Sequence, residues 1–160
     1  MVPITRRFLA VLSVCDIAAC VVAYIESFSE ARVDTVFWWW IILIPGLMVL
    51  VAPMYALEYP ASRRPLFLFR EFLRGMPSWV GPCSWILMLV AWVHFGWFAA
   101  HSGAGVPAII DGQYVLDLRG KILRVLTQEE YLKLRGEEIR MFTSITINMY
   151  FIPAVYWWYR

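Results

Sequence analysis

Charge is scarce in this chain, and four long stretches have almost none. Of 160 residues only 16% are charged. The uncharged stretches are Phe8–Ile25, Val36–Leu57, Met76–Ala100 and Met141–Tyr159, and Asp16 is the single charged residue inside them. Together they make up more than half of the chain, which is more than one soluble core of this size buries. This excludes a soluble enzyme, a nucleic-acid-binding module, a disordered chain and a disulfide scaffold.

Motifs for catalysis and metal binding are also missing. The three cysteines, Cys15, Cys20 and Cys83, lie in uncharged stretches without a CxxC spacing, so we expect buried, small apolar side chains rather than a zinc or redox centre. The chain has no HExxH motif, no Gly-rich phosphate loop and no set of nucleophile, histidine and acid. We therefore predict no catalytic residue, no cofactor and no metal. The net charge of +2 predicts no nucleic-acid partner.

The lengths of the uncharged stretches predict membrane-spanning helices. Each is near the ~20 residues that a helix needs to cross a bilayer, and none alternates as a membrane β-strand does. We predict one all-α integral membrane domain over residues 1–160. It is a four-transmembrane-helix bundle, with spans at about 8–25, 36–57, 79–100 and 141–158.

Basic residues predict the orientation of these spans. Arg6, Arg7, the arginines of the linker at 58–78 and Arg160 fall on one side, whereas the first loop on the other side is mainly acidic. By the positive-inside rule, both termini and the amphipathic linker are cytoplasmic in a bacterial inner membrane, and the linker contacts membrane lipid. The first stretch follows two arginines as a signal peptide does, but Asp16 interrupts it, so we expect a permanent anchor.

The segment between the third and fourth spans, residues 101–140, is predicted to lie outside the cytoplasm. A Gly-rich connector at 102–107 precedes two apolar runs, 113–117 and 121–126, which predict a β-hairpin. Candidate partner contacts in this segment are Tyr114, Arg119, Arg124 and Tyr131.

A helix is predicted to follow the hairpin and to continue into the fourth span. Thr127 and Glu130 have the spacing of a capping box, in which each side chain accepts a hydrogen bond from the other residue's backbone N–H. Two acidic pairs, Glu129 with Glu130 and Glu137 with Glu138, are expected on a solvated helix face.

Polar residues inside the spans are the functional candidates. Asp16, with Ser13 on the same helix face, is either a proton or cation site, a contact for an intramembrane partner, or an interhelical hydrogen-bonding group. Asn148 and Ser144 lie at a matching depth in the fourth span, so we predict that Asp16 pairs with them. Pro45 and Gly46 interrupt the second span, as in helices that bind ions through exposed carbonyls or in simple kinks.

His94 and His101 are seven residues apart and share one face of the third span. Haem ligation needs a histidine on the opposite side of the iron, and a metal site needs a nearby acid. The sequence supplies neither in this span, which favours structural hydrogen bonds.

In gross plan, with four spans, cytoplasmic termini and small size, the chain resembles the polytopic immunity proteins that protect bacteria from membrane-inserting toxins. This resemblance implies a non-enzymatic membrane protein that neutralises a pore-forming toxin by binding it. The alternative is a small transporter or an accessory subunit of a larger membrane complex. In both cases a protein partner is expected, and the oligomeric state stays open.

Overall fold

A computed structural model describes residues 3–29, 46, 76–103 and 105–159 of the chain. These residues form three helices and one antiparallel sheet of three strands. In chain order the elements are α1 (Pro3–Glu26), α2 (Val80–Ser102), β1 (Val106–Ile110), β2 (Gln113–Leu118), β3 (Lys121–Val125) and α3 (Gln128–Tyr159).

Helix α3 packs against α2 in the antiparallel direction. Trp79, just before α2, makes an edge-to-face contact with Tyr159 at the end of α3. Near the other end of α2, the indole N–H of Trp97 donates a hydrogen bond to Glu137. The sheet-proximal half of α3 therefore lies beside the C-terminal end of α2.

Helix α1 also packs against α3 in the antiparallel direction. Leu9 near the start of α1 shares a buried cluster with Tyr156 near the end of α3. Ala23 near the end of α1 packs against Ile139. The C-terminal ends of α1 and α2 thus lie at the same end of the molecule, and the sheet follows α2 at that end.

The sheet has the order β1-β2-β3, and both connections are two-residue turns. Asp111 and Gly112 have φ angles of 50° and 77°, and Arg119 and Gly120 have 55° and 84°. Positive φ at both central positions is typical of the type I′ turn, whose twist matches that of the flanking strands. Aspartate and glycine tolerate this conformation well, whereas Arg119 has no such advantage.

One face of the sheet packs on the first turns of α3. Leu116 of β2, Leu126 and two residues of α3, Tyr131 and Leu134, form a buried cluster. Gly105, just before β1, leaves room for the Leu116 side chain, because a Cβ atom there would lie 2.6 Å from that side chain. The sheet is thereby fixed against the helix that follows it.

The predicted capping box at the start of α3 is confirmed. Thr127 Oγ1 accepts a hydrogen bond from the backbone N–H of Glu130 at 3.2 Å, and Glu130 Oε2 accepts one from the N–H of Thr127 at 2.9 Å. The second hydrogen bond, together with one from Arg124, lowers the pKa of the Glu130 carboxyl. As predicted, α3 then continues without a break through residues 141–158.

The predicted four-transmembrane-helix bundle is wrong for the described part of the chain. Residues 3–29, 46, 76–103 and 105–159 form three helices, of which only α1 and α2 are long and apolar enough to cross a membrane, and a three-stranded sheet. The predicted second span at 36–57, apart from Gly46, and most of the linker at 58–78 lie outside the described residues.

The predicted fourth span, residues 141–158, is not among the helices that are apolar enough to cross a membrane, because it contains several polar residues. It is the second half of α3, where Thr143, Ser144, Thr146 and Asn148 are all buried. The hydroxyl groups of Thr143 and Ser144 donate to backbone carbonyls of their own helix. Because these groups are satisfied within the protein, α3 is both polar in composition and central in the packing.

The predicted hairpin is present as β2 and β3, but β1 was missed. The connector predicted at 102–107 already contains the first two residues of β1. Proline and the preceding glycines favour a loop in the sequence, yet Pro107 is tolerated because β1 is an edge strand. The Asp111-Gly112 pair was the available signal for this additional hairpin.

Candidate functional site

A cluster of buried polar groups lies where the ends of α1 and α2 meet α3. At its centre is Glu137, whose side chain is 5% exposed. Glu137 Oε1 accepts the 3.3 Å hydrogen bond from Trp97 Nε1, and Oε2 lies 3.9 Å from His101 Nδ1. The ring nitrogen of His101 is itself 2.8 Å from the carbonyl oxygen of Trp97. Glu137 thus holds the C-terminal end of α2 on α3.

The same stretch of α3 is joined to α1 by Arg140. Its guanidinium donates a 3.0 Å hydrogen bond to the carbonyl oxygen of Ser27 and lies 4.6 Å from the ring centroid of Phe28. Capping the last carbonyls of α1 with a cation is favourable because the helix dipole places partial negative charge there. Desolvation by burial lowers the pKa of Arg140, and the nearby Glu137 carboxylate opposes that change.

An ion pair joins this stretch of α3 to the sheet. Arg135 pairs with Glu138 three residues later, and both side chains are largely buried. The Arg135 guanidinium also reaches the carbonyl oxygen of Pro107 in β1 at 3.5 Å. Burial raises the pKa of the Glu138 carboxyl, and the charge of Arg135 offsets part of the rise.

The expectation that Glu137 and Glu138 lie on a solvated face is wrong. Both are 5% exposed, because α1, α2 and the sheet converge on this part of α3. Sequence reasoning therefore missed Glu137, Glu138, Arg135 and Arg140 as a set. The signal in the sequence was their position directly before the uncharged stretch Met141–Tyr159. Carboxylates and guanidinium groups that are buried at such a position need to pair with one another.

The two predicted histidines form structural hydrogen bonds. His94 Nε2 lies 3.1 Å from the hydroxyl of Tyr24 in α1, and His94 Nδ1 lies 2.9 Å from the carbonyl oxygen of Val90. His101 contacts Trp97 and Glu137 as described above. Within the described residues, no group of three or more His, Cys, Asp or Glu side chains is arranged to hold a metal ion.

Asp16 lies deeper in the bundle, beside Tyr150 of α3 and Gly46. A Cβ atom built on Gly46 would lie 2.9 Å from Tyr150 Oη and 3.6 Å from Asp16 Oδ2. The Oδ2 atom is buried, and no described residue donates a hydrogen bond to it. Because Gly46 has no side chain, its backbone can lie close to the side chains of Asp16 and Tyr150.

The predicted partners of Asp16 make other hydrogen bonds. Asn148 Oδ1 accepts from Ser84 Oγ of α2 at 3.3 Å, and its amide nitrogen lies 3.8 Å from the sulfur of Met88. Ser144 donates to the carbonyl oxygen of Met141. Among the described hydrogen bonds, those of Asn148 and Ser144 thus serve the α2–α3 contact and α3 itself.

Ser13, the other candidate on α1, is completely buried. Its hydroxyl donates a 2.9 Å hydrogen bond to the carbonyl oxygen of Leu9. Of the three cysteines, Cys20 is buried, Cys83 is half-buried and Cys15 is exposed. The expectation of a buried side chain therefore holds for Cys20 and fails for Cys15.

The four candidate contacts of the sheet segment fall into two groups. Tyr114 and Tyr131 are stacked on each other between the sheet and α3, with ring centroids 4.8 Å apart. Arg124 forms an ion pair with Glu130 at 2.9 Å. Arg119 is exposed in the turn between β2 and β3. Arg119 and Arg124 are thus the exposed members of the four, whereas the tyrosines hold the sheet in place.

Comparison with known proteins gives no further identification of the chain. No protein-family model matches it, and neither a curated protein nor a solved structure does.

The burial of Glu138 predicts that the stability of the protein depends on pH. Its pKa is raised from an ordinary value of 4.5, so the unfolded chain releases this proton at lower pH than the folded protein does. The free energy of unfolding should therefore fall as pH rises above about 4.5 until the folded carboxyl also ionises. Glu138→Gln should flatten this part of the profile, measured by thermal unfolding in detergent across pH.

Two further variants test that assignment. Arg135→Met removes the charge that opposes the pKa rise, so the loss of stability should extend to higher pH. Lys133→Met removes an exposed cation from the same part of α3 and should follow the wild-type profile. An unchanged pH profile in Glu138→Gln would show that this carboxyl is not desolvated.

The contact between Gly46 and Tyr150 predicts a second effect. Gly46→Ala places a methyl group 2.9 Å from the Tyr150 hydroxyl, whose side chain is fully buried. Overpacking of this kind costs about 1–3 kcal/mol. Tyr150→Phe removes the hydroxyl, so the alanine substitution should cost less in that background. Equal thermal destabilisation by Gly46→Ala in both backgrounds would contradict the contact.

Proposed function

We propose that α1 and α2 cross a membrane and that α3 packs against both of them. Both helices are long and apolar enough, and only 28% and 17% of their apolar windows are buried inside the protein. The core helix of a soluble protein is mostly buried, whereas these helices expose large aromatic and aliphatic side chains such as Trp85 and Trp92. A bilayer is the environment that covers such surfaces.

The same geometry supports an orientation for the helices. Arg6 and Arg7 lie at the start of α1, at the end of the bundle opposite the sheet. The positive-inside rule places this end in the cytoplasm, together with the C-terminal end of α3. The sheet then lies outside the cytoplasm, and the proposed location is a bacterial inner membrane.

The proposed activity is binding of a protein partner rather than catalysis. The observation that carries it is the exposure of β3, in which all five residues are accessible although the strand is held on α3. Exposed aliphatic side chains on a well-fixed element are typical of protein-binding surfaces. In the form we propose, the partner is a membrane-inserting toxin, and the chain is an immunity-type protein that neutralises it.

A second candidate function is a small transporter or an accessory subunit of a membrane complex. It is favoured by Asp16, whose buried Oδ2 atom receives no hydrogen bond from a described residue. A carboxyl inside a membrane helix is costly, and it is typical of proton and cation pathways. The nearby Tyr150 hydroxyl adds a second polar group at the same depth.

The toxin-neutralising function is tested in bacteria challenged in turn with each of a panel of pore-forming toxins. Cells that produce the chain should keep their membrane potential, measured with a potential-sensitive dye, whereas cells without it should depolarise. A variant with residues 106–125 replaced by a Gly-Ser connector should remain in the membrane fraction and fail to protect. Equal depolarisation with and without the wild-type chain would overturn the function.

The transport function makes a different prediction. Proton flux into proteoliposomes, followed with a pH-sensitive dye, should require the wild-type chain and be lost in Asp16→Asn, because asparagine cannot exchange a proton. Asp111→Asn, in an exposed turn of the sheet, is the matched control and should retain flux. Absence of flux with the wild-type chain, or equal flux with Asp16→Asn, would exclude a proton path through this carboxyl.

A further inference from the structure

Strand β3 is an edge of the sheet and is exposed along its whole length. Its large aliphatic residues Ile122, Leu123 and Val125 are 49%, 42% and 63% exposed. A strand with one neighbour presents backbone N–H and C=O groups on its other side, which form hydrogen bonds with any strand that is added there. The register with β2 shifts between Leu116 and Asp117, so Leu123 has no paired residue.

The two edges of the sheet differ in how well they are protected. Strand β1 contains Pro107, which lacks a backbone N–H and disfavours pairing at that edge. Strand β3 contains no proline. Every residue of β3 therefore keeps a backbone N–H, and proline does not block pairing at its edge.

Strand β3 also lies on the side of the sheet that faces away from the membrane helices. Strand β1 is linked to Arg135, whereas β3 is linked to Glu130 through Arg124. At 1.5 Å per residue, these two points on α3 are about 7.5 Å apart. The free edge is thus directed towards solvent, where a protein segment reaches it more readily than a lipid surface does.

The charge at the β3 edge favours some binding partners over others. Arg119 and Lys121 are both exposed, and neither takes part in an ion pair with a described residue. Strand β3 contains two cations and no anion. A second copy would present the same two cations and no anion, so its edge offers Lys121 no opposite charge. Acidic side chains on the added strand are favoured.

We infer that β3 binds its protein partner by strand addition, and that the added segment combines aliphatic with acidic side chains. This inference rests on the proposed protein-binding function and specifies its mode. Backbone hydrogen bonds provide affinity, the aliphatic side chains pack on Ile122 and Val125, and the acidic ones pair with Arg119 and Lys121.

The test uses the full-length chain in detergent and two labelled peptides, measured by fluorescence anisotropy. In one peptide valine alternates with glutamate, and in the other lysine replaces glutamate. The acidic peptide should bind at least about tenfold more tightly, which is about 1.4 kcal/mol. Ile122→Ser with Val125→Ser removes the aliphatic packing without changing the charge, and should weaken binding of the acidic peptide by about tenfold or more.

The matched control is Val106→Ser with Ile109→Ser, which makes the same change at exposed positions on β1 and should leave binding unchanged. Equal binding of both peptides, no binding of either, or equal effects of the two double variants would overturn strand addition at β3. A wild-type dimer that dissociates in Leu123→Lys would also overturn it, in favour of self-pairing.

Failure of this inference is distinguishable from failure of the proposed function. If the chain protects cells and the β3 double variant protects equally well, the partner binds elsewhere and strand addition is wrong. If the acidic peptide binds at β3 while the chain protects against no toxin, the toxin-neutralising function fails and the strand-binding edge remains.

Discussion

Four charged residues within a short stretch of α3, two of them buried and two half-buried, are the constraint on which the arrangement of the other elements depends. Glu137 accepts a hydrogen bond from α2, Arg140 donates one to the end of α1, and Arg135, paired with Glu138, reaches β1. Removing one member of such a set leaves a buried charge without its partner, which costs about 3–5 kcal/mol. The two apolar helices and the sheet are therefore positioned by one part of one helix.

This constraint also explains the distribution of polar and apolar groups in the protein. The polar side chains of α3, such as Asn148, point towards the other helices, whereas α1 and α2 carry large apolar side chains on their outer surfaces. Such an arrangement is unfavourable in water and favourable in a bilayer, where internal polar contacts have no competing solvent. At the other end, the capping box and the Arg124–Glu130 pair hold the sheet so that β3 stays exposed.

Local features of the fold followed from the sequence, and features set by distant contacts did not. Thr127 and Glu130 are three residues apart, so the start of α3 was predictable from side-chain chemistry alone, as were β2 and β3. Strand β1 was hidden by Pro107, because local preferences for that residue favour a loop and only its position at the sheet edge makes a strand possible. The burial of Glu137 was unpredictable for a similar reason: its neighbours Trp97 and His101 are far away in the chain.

The sequence by itself determined that α1 and α2 are apolar enough to lie in a membrane and where α3 begins, because length, hydrophobicity and capping are properties of neighbouring residues. Only the tertiary structure decided that the polar second half of α3 is buried against α1 and α2, and that Gly46 approaches both Asp16 and Tyr150. It also decided that β1 and β3 are the edge strands of the sheet. These outcomes depend on contacts between segments that are distant in the chain, and on the solvent that surrounds them.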